Sequence, residues 1–291
     1  MEVYRSALLP ERVRMNILQE GFLSRILASG TVGDGVFFLC IKPLAVLLCC
    51  VLIPYLVGSV NSAFIVSKIL FHDDIRRHGS GNGGATNMFR VYGVRGAIPT
   101  VIGDVLKSVV SVLLGALCCG LNSVGGFSFA PDNSLLFVLS VGENPIVVGT
   151  YLAGVFCILG HVFPIYYRFK GGKGVLSSLI VALFLNRWLA LILFAVFVIV
   201  VAFTRYISLG SSVAAALYPV FLAPLFRGLF SGAYPPIYIV LFSFFLAAII
   251  IYKHIPNIKR IMNHEESKFS FRRVPKLDAP PAETEEKHDG E

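Results

Sequence analysis

The sequence predicts an all-α polytopic membrane protein, with about seven transmembrane helices and active-site loops on the cytoplasmic side. Three observations predict it. Of the 291 residues, 56% are hydrophobic and only 14% are charged, more apolar side chain than one soluble core can bury. The apolar residues gather in long runs. The loops between those runs alternate between ones rich in Lys and Arg and one with neither, the asymmetry that orients a membrane chain with its positive loops inside.

Residues 1–43 form an N-terminal extension in which Arg5, Arg12, Arg14 and Arg25 lie among apolar side chains. It lacks the small-residue cleavage pattern of a signal peptide, and reads as a partly amphipathic surface helix around residues 10–28. Residues 44–266 form the membrane domain, with apolar runs at about 44–70, 98–121, 146–167, 174–186, 187–205, 208–227 and 234–253. The fourth run is short of the roughly 20 residues that cross a 30 Å hydrocarbon core. It is either a half-span or continuous with the fifth across Asn186-Arg187.

The 72–97 loop carries Arg76, Arg77, Arg90 and Arg95, and the 168–173 loop carries Arg168, Lys170 and Lys173. Placing both in the cytoplasm also puts Arg205 and the Lys253–Arg260 cluster inside, whereas the 122–145 loop, with no Lys or Arg, falls outside. Seven spans then put the N-terminus outside, against the basic character of residues 1–43, and six spans with both termini inside are the alternative. Residues 267–291, rich in Pro, Glu and Lys, read as a disordered cytoplasmic tail. The net charge of +8 suits anionic lipid and anionic substrates and does not by itself argue for nucleic acid. Five of the six cysteines, Cys49, Cys50, Cys118, Cys119 and Cys157, lie inside apolar runs and Cys40 at the edge of one, with no metal-ligand spacing.

Two loops have the composition of anion sites. In the stretch from Gly160 to Ser178, glycines at Gly171, Gly172 and Gly174 let backbone approach a ligand, Lys173 adds a point charge, and the next run offers a helix N-terminus. The spacing is not that of a nucleotide-binding loop. In the 72–97 loop, Gly79, Gly81, Gly83 and Gly84 free backbone amides. Ser80, Asn82, Thr86 and Asn87 supply uncharged donors, and Arg90 can grip a phosphate bidentately.

Asp104 and Lys107, at i and i+3 inside the second run, share a helix face. Charges at that depth cost roughly 2.5 to 3.5 kcal/mol each unless paired or facing a polar cavity. An orienting ion pair and direct substrate contact both satisfy this. His161 near Pro164 reads either as a packing residue or as part of the site. Thr204, Ser208 and Ser211 sit where the fifth run meets the sixth, as cavity hydroxyls or interhelical glue. His254, Asn257 and Arg260, with Glu266 beyond, follow the last run as a basic membrane exit or a site element. All of these clusters fall on the cytoplasmic side of the one orientation the loop charges allow. That convergence predicts a single anion-binding cavity for a phosphorylated, membrane-proximal substrate. No Ser-His-Asp set, paired-carboxylate set or metal set is present in the sequence, so the chemistry would rest on charge and positioning with an already activated substrate.

A transporter for a phosphorylated small molecule would also use intramembrane charges beside a basic vestibule. It predicts polar groups continuing to the outer face and an internal repeat. The sequence has neither.

The motifs resemble the bacterial acyl-phosphate:glycerol-3-phosphate acyltransferases, the PlsY family, from about Tyr55 to Lys268. They are YLVGS at 55–59, RxHGSGNxGATNxxR from Arg76 to Arg90, GDxxK from Gly103 to Lys107, GHxFP at 160–164, FKGGKGV at 169–175, TRYxSLxS at 204–211 and HxxNIxR at 254–260. The resemblance implies seven helices and transfer of a fatty acyl group from acyl phosphate to the 1-hydroxyl of sn-glycerol 3-phosphate, giving lysophosphatidic acid and phosphate, without cofactor or metal, at the bacterial inner membrane. It implies catalytic roles for Ser80, Arg90, Lys173, His254 and Asn257. Substrate binding falls to Gly79, Gly81, Asn82, Thr86, Asn87, Asp104, Lys107, His161, Gly171, Gly172, Gly174, Ser208, Ser211, Arg260 and Glu266, with Ser211 the motif serine and Ser208 its alternative. Two phosphates would be clamped by Lys173, Arg90 and loop amides while the acyl chain stays in lipid. The chain departs from the family pattern at Asn61, Ser108, Ile255 and Asn263-His264-Glu265.

Overall fold

The computed structural model describes residues 47–119, 148–225 and 237–269. The surface helix expected near residues 10–28, the 122–145 loop and the tail from residue 270 lie outside the described residues. Within them the chain is helical, with no strand. A π-helical turn at Leu47–Leu52 leads into α1 (Ile53–Ser59), followed by α2 (Ser62–Phe71), α3 (Ala85–Cys119), α4 (Val148–Val162), α5 (Val175–Leu185), α6 (Arg187–Thr204), α7 (Ile207–Leu225) and α8 (Ile237–Met262). Four stretches, Leu48–Phe71, Ala85–Gly115, Arg187–Thr204 and Val240–Met262, are long and apolar enough to cross a membrane, and three shorter apolar helices join them.

Two boundaries differ from the sequence expectation and a third decides between its two alternatives, each for a local reason. The first span is broken between α1 and α2, where Val60 is extended and the Asn61 side chain accepts from the Phe64 N–H at 3.1 Å, capping α2. This gives the residue that departs from the family pattern a structural task. The second helix begins at Ala85, not near residue 98, so Thr86, Asn87, Arg90 and Arg95 are helical. Gly93, at φ +64, bends it before the span proper. The fourth run is a half-span: α5 stops at Leu185, and Asn186 caps α6 by accepting from the Leu189 N–H at 3.0 Å.

On α3, Ile98, Ile102, Leu106 and Val110 recur every four residues and are about half exposed, while Thr100, Asp104, Lys107, Ser108 and Ser111 are buried on the other side. This is the inside-out polarity of a helix in lipid. Phe203, at 87% exposure, shows the same outward apolar face on α6. The central helix is α4, which packs against α1, α3, α5 and α8. Its Gly160 lies against the Tyr55 and Ser59 backbone, and Gly58 of α1 lies against the Cys157 backbone. A Cβ at either would collide with main chain.

Candidate active site

The first Gly-rich loop is built on Asn87. Its Oδ1 accepts from the Ser80 N–H at 2.9 Å, and its amide group donates to the carbonyls of His78 at 3.1 Å and Asn82 at 3.2 Å. Gly79, at φ +57, passes so close that a side chain there would strike the Asn87 oxygen. Asn87 is therefore the scaffold of the loop and not a donor held free for a ligand. Asn61 ties the loop to the first span by donating to the Gly83 carbonyl at 3.1 Å.

The second loop turns tightly, with Arg168 and Phe169 both at positive φ, a conformation side chains resist. It is pinned to α4 by the Gly172 N–H, which donates to the His161 carbonyl at 3.1 Å. A Cβ on Gly172 would run into the His161 ring and come within 2.8 Å of the Gly83 carbonyl, so the two Gly-rich loops meet there. Gly174, at φ +79, opens α5 and leaves Lys173 between the loop and α8.

His161 also belongs to a buried network beneath the loops. Lys107 Nζ lies 2.9 Å from Asp104 Oδ1 and 2.7 Å from His161 Nδ1, and it donates to the Val60 carbonyl at 3.0 Å. Ser62 Oγ donates to the same Asp104 oxygen at 3.0 Å. The Val60 carbonyl is freed by the α1–α2 break, so one ammonium offsets both a buried carboxylate and an orphaned backbone acceptor. The predicted Asp104–Lys107 pair is present, and it anchors helices while Asp104 also faces the cavity.

On the other wall, Lys173 Nζ donates to Asn257 Oδ1 at 2.6 Å. Asn257 Nδ2 donates to Glu266 Oε1 at 2.8 Å, Ser208 Oγ to the same oxygen at 3.0 Å, and Arg260 Nε to Glu266 Oε2 at 2.7 Å. Glu266 reaches this position because His264 takes φ +60 and the Glu265 and Glu266 N–H groups donate to the Arg260 carbonyl, turning the chain back over α8. Burial works to raise the Glu266 pKa, and the hydrogen bonds from Asn257, Arg260 and Ser208 outweigh it, so the carboxyl lies below its ordinary value. Burial lowers the Lys173 ammonium to about 8. Glu266 opposes that shift, and the charges of Arg260, Arg90 and Lys253 add to it. His254 Nδ1 lies 2.7 Å from the Ile250 carbonyl, which only accepts, so Nδ1 carries the proton and Nε2 is not committed to the backbone.

These segments enclose a cavity of about 570 Å³. Of the predicted residues, Ser80, Asn82, Thr86, Asn87, Arg90, Asp104, His161, Lys173, Gly174, Ser208, Ser211, His254, Asn257 and Glu266 line it. Gly79, Gly81, Lys107, Gly171, Gly172 and Arg260 are not on its wall. Ser208, the alternative to Ser211, makes the contact with Glu266, whereas Ser211 Oγ donates back to the Ile207 carbonyl at 2.9 Å.

Sequence reasoning gave no site role to the residues after Glu266. Ser267, Lys268 and Phe269 also line the cavity, the Phe269 N–H donates to the Arg205 carbonyl at 2.7 Å, and its ring lies 5.8 Å from that of Phe89. The boundary of the expected tail therefore falls inside the structured domain. The only signal was the aromatic pair Phe269 and Phe271 in an otherwise polar stretch.

The family model for glycerol-3-phosphate acyltransferase matches residues 48–264. The chain belongs to the glycerol-3-phosphate acyltransferase family. A glycerol-3-phosphate acyltransferase from Clostridioides difficile is 36% identical over 216 residues, 74% of this chain and 92% of that one. The Bacillus subtilis protein of the same name is 37% identical over 221 residues, 76% and 96% of the two chains. A crystal structure of PlsY, an integral membrane glycerol 3-phosphate acyltransferase in its glycerol 3-phosphate form, matches at 28% identity with a TM-score of 0.59, covering 79% of this chain and 96% of that one. A lysophosphatidic acid form of the same protein matches at 0.57. This family member is thus an integral membrane acyltransferase by fold and sequence.

Proposed function

We propose that the chain transfers a fatty acyl group from acyl phosphate to the 1-hydroxyl of sn-glycerol 3-phosphate, releasing phosphate and lysophosphatidic acid, the first acylation of phospholipid synthesis. The observation that carries this reading is that Arg90 and Lys173, from the two Gly-rich segments, line one cavity together with Ser80, His254 and Asn257. Two phosphates need fixed cations and amide donors, and a mixed anhydride needs little else. The substrate hydroxyl attacks the acyl carbonyl, the carbon–oxygen bond to phosphate breaks, and the leaving phosphate takes the hydroxyl proton. Arg90 and Lys173 stabilise the charge that gathers on phosphate, while Asn257 and Glu266 hold the lysine in place. Ser80 and the His254 Nε2 stand as positioning donor and acceptor for the attacking hydroxyl.

The reading places the protein in the bacterial inner membrane with this cavity at the cytoplasmic face, supported by the Lys and Arg content of the segments around it. Its test is to supply purified protein with palmitoyl phosphate and glycerol 3-phosphate and to measure phosphate and lysophosphatidic acid together. Equal release of both, dependent on glycerol 3-phosphate, is expected. Release that ignores glycerol 3-phosphate, or transfer only from an acyl thioester, overturns the donor assignment.

A further inference from the structure

The chain beyond Glu266 forms a strap along the rim of the cavity, fixed at both ends. The Glu266 carboxylate accepts from Asn257, Ser208 and Arg260, and the Phe269 N–H donates at 2.7 Å to the Arg205 carbonyl, at the turn between α6 and α7. The Phe269 ring lies 5.8 Å from that of Phe89, so the strap joins the α7–α8 side of the cavity to α3, the helix that carries Arg90. Ser267 and Lys268, between the two anchors, are exposed and also line the cavity, which puts them at its solvent edge. Lys268 and Arg90 each adjoin in sequence one ring of the Phe89–Phe269 contact, so two cations share one stretch of the wall.

The charges on that wall do not balance. Its carboxylates are already matched within the protein, Asp104 by Lys107 at 2.9 Å and Glu266 by Arg260 at 2.7 Å. Arg90, Lys173 and Lys268 are then the lysines and arginines of the lining that no carboxylate offsets among the described residues. The Lys268 ammonium stands 6.0 Å from the Tyr206 ring centroid, the outer limit of a cation–π contact. A cleft lined by one sign of charge concentrates counter-ions. Two bound phosphate groups at neutral pH carry roughly three to four negative charges, more than Arg90 and Lys173 offset between them.

We propose that Lys268 is a third phosphate-binding cation of the site and takes the phosphate of glycerol 3-phosphate. The inference rests on the acyl-transfer reading. Of the two substrates, glycerol 3-phosphate is the water-soluble one and arrives across the solvent edge where Lys268 stands, whereas an acyl phosphate is anchored to the bilayer by its chain. The anchors at Glu266 and Phe269 keep the Lys268 backbone in place while its four-carbon stem swings from Tyr206 to the incoming phosphate. The ammonium thereby exchanges a weak contact with a ring for a charge-assisted hydrogen bond.

The test measures equilibrium binding of radiolabelled glycerol 3-phosphate to the full-length protein in lipid bicelles, with no acyl donor present. Lys268→Ala is expected to weaken binding about 10-fold and Lys268→Glu about 100-fold, while Lys268→Arg stays within about 3-fold, all at an unchanged melting temperature. In steady-state assays KM for glycerol 3-phosphate should follow the same series, and KM for palmitoyl phosphate should not move. A merely structural strap would lower the melting temperature and would not follow the sign of the charge. Equal affinity in all four proteins, a loss that Lys268→Arg shares with Lys268→Ala, or a change confined to palmitoyl phosphate overturns the inference and leaves the acyl-transfer reading intact. Failure of the unaltered protein to bind glycerol 3-phosphate overturns both.

Discussion

The Asn257 amide oxygen accepts from the Lys173 ammonium at 2.6 Å, and the amide has that orientation because its nitrogen donates to Glu266. One carboxylate at the far end of α8 thereby aims a lysine on the loop before α5. Replacing Glu266 by Gln is expected to free the Asn257 amide to flip and to lower kcat/KM about 10-fold to 100-fold, the scale of a lost charge-assisted hydrogen bond. Glu266→Gln combined with Asn257→Ala should cost little more than either alone. A double-mutant cycle on kcat/KM checks this, and strict additivity contradicts the relay.

The lowered pKa of Lys173, about 8, gives a pH dependence with a definite sign. A bound phosphate favours the charged lysine, so above about pH 8 binding must take up a proton, and KM should rise up to about tenfold per unit while staying flat below. Lys173→Arg keeps its charge throughout and should abolish the alkaline rise. An equal rise in the arginine variant assigns the titration elsewhere.

Gly172 is where the two loops touch. A methyl there meets the His161 ring and the Gly83 carbonyl, so Gly172→Ala should cost on the order of 1–3 kcal/mol and displace Lys173. Steady-state kinetics would show a fall in kcat/KM together with a lower melting temperature.

The Asp104–Lys107 pair predicts a non-additive stability series. Lys107→Met leaves a buried carboxylate beside His161 and an unpaired Val60 carbonyl, at a cost of about 3–5 kcal/mol. Adding Asp104→Asn should recover part of that loss. Thermal unfolding of the purified variants measures it, and a double variant less stable than Lys107→Met contradicts the pairing argument.

Much of the fold was legible because lipid demands long apolar runs and leaves the loops to carry charge. The runs around α4, α6 and α7 emerge close to their expected limits, α8 continues to Met262, well past the expected end near residue 253, and the Asp104–Lys107 spacing already implied a pair. The break at Val60–Asn61 was not legible, since a capping Asn inside an apolar run differs from a lipid-tolerated polar residue only through Gly83 and Phe64, which it meets in space. The glycines near Arg90 read as loop, although Gly84 marks a helix start. The apolar part of the cavity lining was hidden for a different reason: Ala182, Ala214, Ala215 and Ala247 have the same sequence pattern whether they pack helices together or line a cavity between them. Glu266 was found by motif, but its route back over Arg260 depends on the left-handed turn at His264, which no sequence pattern marked.

The central claim is that Arg90 and Lys173 together clamp the phosphates in one cavity. Its most direct measurement is kcat/KM for both palmitoyl phosphate and glycerol 3-phosphate in Arg90→Ala and Lys173→Ala, with folding checked by melting temperature. The account predicts losses of about 3 kcal/mol for each variant, roughly 10²-fold, in folded protein. Values of kcat/KM unchanged for both substrates would contradict it.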